Sequence, residues 1–92
     1  LLTYSSEEEA IAIANNSDFG LSGTVFSTDL ERAERIARRV RTGNISINGL
    51  QIDPGVPFGG FKQSGIGREG GPEGLEVFLE PKAIYFPGPA AA

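Results

Sequence analysis

Apolar residues recur at helical spacing near the start of the chain, between clear start and stop signals. Ser6 followed by Glu9 fits a capping box, so a first helix is predicted to begin after Ser6. Asn15 and Asn16 are placed to end it. One apolar face of this helix is formed by Ala10, Ile11 and Ala14.

A second helical segment carries a longer apolar stripe. Thr28 with Glu31 repeats the capping-box pattern, and Gly43 is placed to end the helix in a left-handed conformation. The stripe comprises Leu30, Ala33, Ile36, Ala37 and Val40. Five arginines and two glutamates occupy the remaining positions of residues 30–41. We interpret them as a solvated face, because no aromatic residue lies among them to stack on bases.

Short runs with β character lie between and after these helices. They are residues 1–4, 24–27, 44–48 and 83–86. Residues 50–71 are rich in glycine and are predicted to form a long loop, a kind of segment that is often functional. A last short helix is predicted to begin near Pro72 and to end before Pro81.

Strands and helices alternate along the chain, which is typical of an α/β fold with mostly parallel strands. Such strands need cover on both faces of the sheet. Three short helices in 92 residues cannot supply that cover, and the sequence contains no Met. We therefore expect the chain to be a fragment of a larger α/β protein.

The composition narrows the possible chemistry. The chain has no Cys and no His, so thiolate catalysis, imidazole catalysis and the common zinc sites are excluded within it. A net charge of −4 disfavours broad binding to nucleic acid or anionic lipid. No run approaches the roughly 20 apolar residues of a membrane-spanning helix, and no secretory signal is visible. We expect no nucleic-acid or membrane partner, and a cytoplasmic location by default.

Residues 65–70 spell G-x-G-x-x-G, the pattern of a dinucleotide-binding turn. That turn binds because a strand leads into it and a helix N-terminus receives the pyrophosphate. Here a loop precedes the pattern, and no second strand ending in an acidic residue follows about 20 positions on. The spacing from Gly60 to Gly65 also resembles a P-loop, but Ile66 and Gly67 stand where Lys and Ser or Thr are required.

The same loop carries a family signature. Residues 57–69 read P-F-G-G-F-K-Q-S-G-I-G-R-E and resemble the C-terminal signature of the aldehyde dehydrogenase superfamily, P-F-G-G-x-K-x-S-G-x-G-R-E. Residues 14–23, 41–48 and 74–82 resemble three further family segments in the same order. The resemblance covers about residues 1–86.

The resemblance implies a three-layer α/β/α catalytic domain, of which residues 1–80 would be the C-terminal part. Residues 81–92 would be an oligomerisation strand followed by a Pro/Ala-rich tail, in a homodimer or homotetramer. In the family a Cys thiolate attacks the aldehyde, a hydride passes to NAD or NADP, and a Glu-activated water hydrolyses the thioester. Those catalytic and cofactor-binding segments precede the region matched here. The isolated chain is therefore expected to be inactive and to bind no cofactor.

The resemblance also assigns roles to residues of the loop. Phe58 matches an aromatic position of the substrate tunnel, and Leu50, Gln51 and Ile52 match the variable loop at its mouth. Ordinary loop packing is the alternative for all four. Glu69 matches a glutamate that can relay a proton towards the general base, with a salt bridge to Arg68 as the alternative.

Other matched positions are structural. Arg68 and Glu80 match positions near the subunit interface, and Asn48 matches the Asn that closes the strand. The loop glycines, expected to permit positive φ, are Gly59, Gly60, Gly65 and Gly67. Gly70 and Gly71 stand where the family often has Leu-Gly, which predicts a looser turn.

Two other classes of function stay open at this point. One is a stand-alone structural or oligomerisation module that uses the same segment without catalysis. The other is a small nucleotide-binding domain built on residues 65–70.

The nucleotide-binding alternative can be tested on the chain itself. Because the loop lacks the flanking strand and the acidic partner, we predict no heat in isothermal titration calorimetry with millimolar NAD or ATP. Measurable affinity for either nucleotide would support the small nucleotide-binding domain.

Overall fold

Within residues 1–89, which the computed structural model describes, the chain forms three helices and four short strands. In chain order these are α1 (Glu7–Asn15), β1 (Phe19–Gly20), β2 (Ser22–Val25), α2 (Leu30–Arg39), β3 (Asn44–Ile47), β4 (Phe61–Lys62) and α3 (Gly71–Glu76). The mixture of helices and strands confirms the α/β class. None of the three helices is long and apolar enough to cross a membrane.

Helix α1 has the bounds that its sequence signals predict. The Ser6 hydroxyl accepts a hydrogen bond from the Glu9 backbone N–H at 3.2 Å, and Asn16 follows as the C-cap. The Glu9 carboxylate binds Ser5 rather than Ser6, accepting from its N–H and its hydroxyl at 2.7 Å each. The helix start is therefore capped reciprocally by two consecutive serines.

Helix α2 begins one residue later than its capping-box pattern predicts. Its N-cap is Asp29, whose carboxylate accepts a hydrogen bond from the Arg32 N–H at 3.0 Å. Asp and Thr are both common N-cap residues, and here the Asp29 carboxylate, not the Thr28 hydroxyl, accepts the hydrogen bond from the first turn of the helix. The helix ends before Val40, and Gly43 neither caps it nor has a left-handed φ.

Helix α2 connects the parallel strands β2 and β3, which pair from Ser22 opposite Asn44 to Val25 opposite Ile47. Strands β1 and β4 form a separate antiparallel pair of two residues each. Most paired positions are thus parallel, as expected. Residues 1–4, predicted as β, belong to no strand, and the strand predicted at 24–27 begins earlier, at Ser22.

Ion pairs and one asparagine join α1 to α2. The Arg39 guanidinium donates to both carboxylate oxygens of Glu8, at 2.5 and 2.7 Å, and these hydrogen bonds lower the pKa of Glu8. The Asn15 amide nitrogen donates to the Arg39 carbonyl at 2.9 Å, and its oxygen accepts from the Arg41 N–H at 2.7 Å. Exposed ion pairs contribute little to stability. We therefore attribute the junction of α1 and α2 mainly to Asn15, whose side chain hydrogen-bonds two backbone groups at the end of α2.

Residues 83–86 form no strand within the part of the chain that the structure describes. Among residues 1–89, the predicted strand at 83–86 pairs with no other strand, and Tyr85 and Phe86 are 90% and 86% exposed. A strand exists only through the hydrogen bonds of a neighbouring strand, and this chain offers none there. Residues 90–92 of the predicted tail lie outside the described residues.

Little apolar surface is buried. Among the described residues the buried apolar side chains are Ile11 and Ala33, and large side chains such as Phe26 and Phe78 are mostly exposed. The Cα radius of gyration is 19.8 Å, whereas a compact chain of this length has about 12 Å. The fold therefore presents wide apolar faces that are uncovered within this chain.

Candidate functional site

The start of β3 lies directly against the glycine-rich loop. A Cβ atom added to Gly43 would overlap the carbonyl oxygen of Gly59. The Gly43 N–H donates to the Gly20 carbonyl at 3.0 Å, so Gly43 contacts β1 as well as the loop. Its role is close backbone approach, since φ is not left-handed at this residue.

Phe58 is held between β3 and the second half of the loop. The Asn44 amide nitrogen donates to the Pro57 carbonyl at 3.0 Å, and the Asn44 amide oxygen accepts from the Gly59 N–H at 3.1 Å. Phe58 itself pairs with Glu69 in an isolated antiparallel bridge, with N···O distances of 2.7 and 2.8 Å. These bonds fix the backbone on both sides of the Phe58 side chain.

The turn after β4 is attached to the N-terminal part of the chain. The Lys62 ammonium donates to the carbonyls of Asn15 and Ser17, at 2.9 Å each. A cation there adds a donor to two carbonyls at the C-terminal end of α1. The Ser64 hydroxyl accepts from the Gly20 N–H at 2.9 Å. The middle of the loop is therefore attached to the N-terminal part of the chain.

Phe58 and Glu69 line two cavities. The apolar cavity, about 310 Å³, is lined by Ile52, Asp53, Pro54, Val56, Phe58, Glu69 and Gly70. The glycine-loop cavity, about 450 Å³, is lined by Leu21, Phe58, Gly59, Gly60, residues 64–69 and Val77. A larger cavity of about 530 Å³ lies among α1, β2 and α2, and no predicted substrate residue lines it.

The structure brings together some of the predicted substrate residues. Ile52, Phe58 and Glu69 share the apolar cavity. Leu50 and Gln51 do not line it. Leu50 is 77% exposed, and the Gln51 N–H donates to the Ser46 hydroxyl at 3.3 Å.

Arg68 is engaged with the loop backbone and not with Glu69. Its guanidinium donates to the carbonyls of Gly60 and Gly67, at 2.9 and 2.7 Å, and lies 5.7 Å from the centre of the Phe61 ring. Among residues 1–89 no ion pair joins Arg68 to Glu69, so the salt-bridge alternative for Glu69 is not observed. The Glu69 carboxylate is exposed, and so is Glu80.

The signature glycines serve two different purposes. Gly65 and Gly67 have φ of +125° and +97°, which residues with a Cβ rarely adopt. Gly59 and Gly60 are not left-handed. They allow close packing instead, because a Cβ on Gly60 would overlap Ser64 and one on Gly59 would lie 2.5 Å from the Gly67 carbonyl oxygen.

Gly70 and Gly71 form a closely packed turn. Their φ values are +74° and +62°, and a Cβ on Gly70 would lie 2.8 Å from the Val56 carbonyl oxygen. The Gly71 N–H also donates to the Pro54 carbonyl at 3.0 Å. The two glycines let this turn approach the preceding part of the loop closely, and whether it is looser than the Leu-Gly turn of the family stays a prediction.

Asn48 joins the ends of the parallel strands. Its amide oxygen accepts from the Ser27 N–H at 2.8 Å, and its amide nitrogen donates to the Ser27 carbonyl at 2.9 Å. Asn48 has φ of +57°, which Asn tolerates better than most residues. Sequence reasoning singled out Asn48 but missed Asn44 and Ser64. The sequence signal that could have identified Asn44 is its amide side chain, which stands at the start of the alternating run 44–48 as that of Asn48 stands at its end.

Residues 65–70 do not fit a dinucleotide. The strand before them, β4, pairs antiparallel with β1, and α3 has only six residues. The carboxylates of Glu69 and Glu73 lie at the start of that helix, where a pyrophosphate would need positive potential. The β2–α2 connection, residues 26–29, contains no glycine for a phosphate-binding turn. Among the described residues there is also no cluster of three His, Cys, Asp or Glu side chains that could hold a metal.

Residues 1–84 match the model of the aldehyde dehydrogenase family. Among curated proteins, the geranial dehydrogenase of Castellaniella defragrans is 49% identical over 88 residues, which are 96% of this chain and 18% of that protein.

Solved structures agree in fold as well as in sequence. A Mycobacterium tuberculosis aldehyde dehydrogenase complexed with NAD+ superposes with a TM-score of 0.91 at 49% identity, over 97% of this chain and 18% of that one. A Streptococcus pyogenes succinic semialdehyde dehydrogenase in complex with NADP+ gives a TM-score of 0.87 at 46% identity, over 92% and 19%. The chain thus spans less than a fifth of these proteins.

The contact between the start of β3 and the loop predicts that Gly43 and Gly49 differ in how much a substitution by Ala lowers stability. In the full-length protein that contains this segment, Gly43→Ala should lower the free energy of unfolding by ~1–3 kcal/mol or more, because the new Cβ meets backbone that cannot move aside. Gly49→Ala is the matched control, since nothing lies within 4 Å of its added Cβ; it should stay within about 0.5 kcal/mol. Urea unfolding measures both, and equal midpoints for the two variants would contradict the assigned contact.

Proposed function

Because the chain belongs to the aldehyde dehydrogenase family, we propose that it forms part of an enzyme that oxidises an aldehyde to a carboxylic acid. NAD or NADP would accept the hydride, water would supply the added oxygen, and one proton would be released. The complexes of two solved relatives with NAD+ and NADP+ support this cofactor class.

The contribution of this chain is the wall of the aldehyde cavity. The observation that carries this assignment is the shared position of Ile52, Phe58 and Glu69 around the apolar cavity. Ligand cavities are mostly apolar, with a few polar groups that orient the ligand. In this cavity Phe58 supplies the apolar wall, while the Glu69 backbone holds Phe58 and the Glu69 carboxylate stays free.

Glu69 is proposed to relay a proton from the general base to solvent. The relay requires a carboxylate that is not consumed by an ion pair, and the engagement of Arg68 with the Gly60 and Gly67 carbonyls leaves it so. The chain contains no Cys, so the proposal takes the Cys nucleophile from another part of the enzyme, and it places the cofactor site there as well. On its own the chain would have no dehydrogenase activity.

Residues 1–80 are proposed to be the C-terminal part of the catalytic domain, and residues 81–86 a strand that pairs with another subunit. The side chains of Ile84, Tyr85 and Phe86 support the second assignment, because residues 1–89 leave them mostly exposed. The same proposal places Arg68 and Glu80 near the subunit contact in a homodimer or homotetramer.

Replacing Phe58 tests the cavity assignment. In the full-length enzyme, Phe58→Ala should change the order of kcat/KM across straight-chain aldehydes from acetaldehyde to octanal. Loss of the ring should reduce the advantage of the longer chains by about 10-fold, the cost of removing apolar contact in a substrate pocket. Phe26→Ala is the control, because Phe26 lines neither the apolar nor the glycine-loop cavity. Identical ratios in the wild-type enzyme and Phe58→Ala would rule out the cavity assignment.

Replacing Glu69 tests the relay. Glu69→Gln should slow hydrolysis of the thioester by about 100-fold while leaving its formation nearly unchanged, because only hydrolysis transfers a proton from water to the general base, and the relay must then pass that proton on. A burst experiment separates the two steps. Glu73→Gln changes a neighbouring carboxylate that lines neither of the two loop cavities, and it should leave both rates alone. An unaltered hydrolysis rate in Glu69→Gln would exclude the relay.

A further inference from the structure

The backbone around Phe58 is restrained at four consecutive hydrogen-bonding groups. The Phe58 N–H and carbonyl are paired with Glu69, at 2.7 and 2.8 Å. The flanking groups, the Pro57 carbonyl and the Gly59 N–H, are both taken by the side chain of Asn44, at 3.0 and 3.1 Å. Phe58 therefore has little freedom to tilt about its own backbone.

Asn44 is suited to this task by its side chain and by its position. A primary amide presents one donor and one acceptor in a single plane, so it can take up a carbonyl and an N–H together. Asn44 lies at the first position of β3, where its N–H donates to the Leu21 carbonyl at 3.2 Å and where it pairs with Ser22. The side chain thus extends from backbone that the parallel sheet already holds.

After the other end of β3, Asn48 also hydrogen-bonds two backbone groups with its side-chain amide, but these groups lie outside the loop. Asn48 takes up the N–H and the carbonyl of Ser27, at 2.8 and 2.9 Å, and so joins β3 to the segment after β2. Both asparagines bind two backbone groups, but only Asn44 binds the segment that contains Phe58. The comparison separates a contact that stabilises the sheet from one that sets the position of a cavity residue.

We propose that Asn44 is a positioning residue for aldehyde selection, acting through Phe58. Asn44 does not line the apolar cavity or the glycine-loop cavity, so it contacts no substrate there. It fixes the peptide groups on both sides of Phe58 and thereby sets the angle at which the ring faces an aldehyde chain. This inference rests on the proposed function, because it requires that Phe58 borders the aldehyde cavity.

The experiment compares Asn44→Ala with Asn48→Ala in the full-length enzyme, using kcat/KM for octanal divided by kcat/KM for acetaldehyde. Asn44→Ala removes two hydrogen bonds and should change this ratio at least about fivefold, the factor that corresponds to the loss of one. Asn48→Ala also removes two side-chain hydrogen bonds and places Ala at a φ of +57°, so it should lower thermal stability at least as much, but it should leave the ratio unchanged. A change of equal size in both variants would overturn the positioning role.

A double-mutant cycle shows whether Asn44 acts through Phe58. In the Phe58→Ala background, the further change Asn44→Ala should leave the octanal-to-acetaldehyde ratio as it is. Strictly additive effects would mean that Asn44 acts by another route, and the inference would fail.

Asn44→Asp gives a second, pH-dependent readout. A carboxylate keeps the acceptor for the Gly59 N–H but faces the Pro57 carbonyl without a donor. A protonated carboxyl supplies both groups again. The ratio of Asn44→Asp should therefore return towards that of the wild-type enzyme as the pH is lowered, whereas that of Asn44→Ala should not. An altered ratio in Asn44→Asp that does not respond to pH would count against the paired hydrogen bonds.

Hydrogen exchange at the Gly59 N–H separates failure of this inference from failure of the proposed function. Asn44→Ala should speed exchange at Gly59, and Asn48→Ala should not. If Phe58→Ala leaves the aldehyde preference unchanged, the cavity assignment fails, and faster exchange at Gly59 would still support the positioning of Phe58. Unchanged exchange at Gly59 in Asn44→Ala would overturn the positioning itself.

Discussion

The close approach of the loop to the start of β3 is the constraint on which the site depends. At Gly43 the two backbones come so near that no side chain can stand between them. Asn44 then binds the loop on both sides of Phe58, and the bridge between Phe58 and Glu69 closes the other side. Without this contact the glycine-rich loop would have many accessible conformations, because glycine restricts its own backbone least. The parallel pairing of β2 and β3 is what makes the contact rigid.

The elements that local signals control could be predicted from the sequence. Ser6 and the asparagines at residues 15–16 gave the bounds of α1, and the alternation at 44–48 gave β3, because capping and side-chain period act over a few residues. The cap of α2 was misplaced because Thr28 and Asp29 are both good caps and only the packed helix shows which one is used. Of the loop residues to which the family resemblance assigned substrate or relay roles, Ile52, Phe58 and Glu69 lie around one cavity, and Leu50 and Gln51 do not.

Features that depend on distant partners could not be predicted. Residues 1–4 and 83–86 have β character, but a strand also requires a neighbour, and composition does not reveal one. Local signals indicate a helix terminator at Gly43, whereas its contact with Gly59 joins residues far apart in sequence and leaves no local pattern. The bonds of Asn44 to the loop are equally non-local. The small buried core, Ile11 and Ala33, shows that most apolar positions of these elements need cover from beyond this chain. That is consistent with a chain that spans about 18% of its relatives.

In the proposed function, the loop held by β3 places Phe58 on the wall of an aldehyde cavity. A crystal structure of the full-length enzyme with a bound long-chain aldehyde analogue tests this placement directly. The Phe58 ring should lie in van der Waals contact with the alkyl chain, while both Asn44 hydrogen bonds to the loop are kept. An analogue bound elsewhere, with the Phe58 ring out of contact, would contradict it.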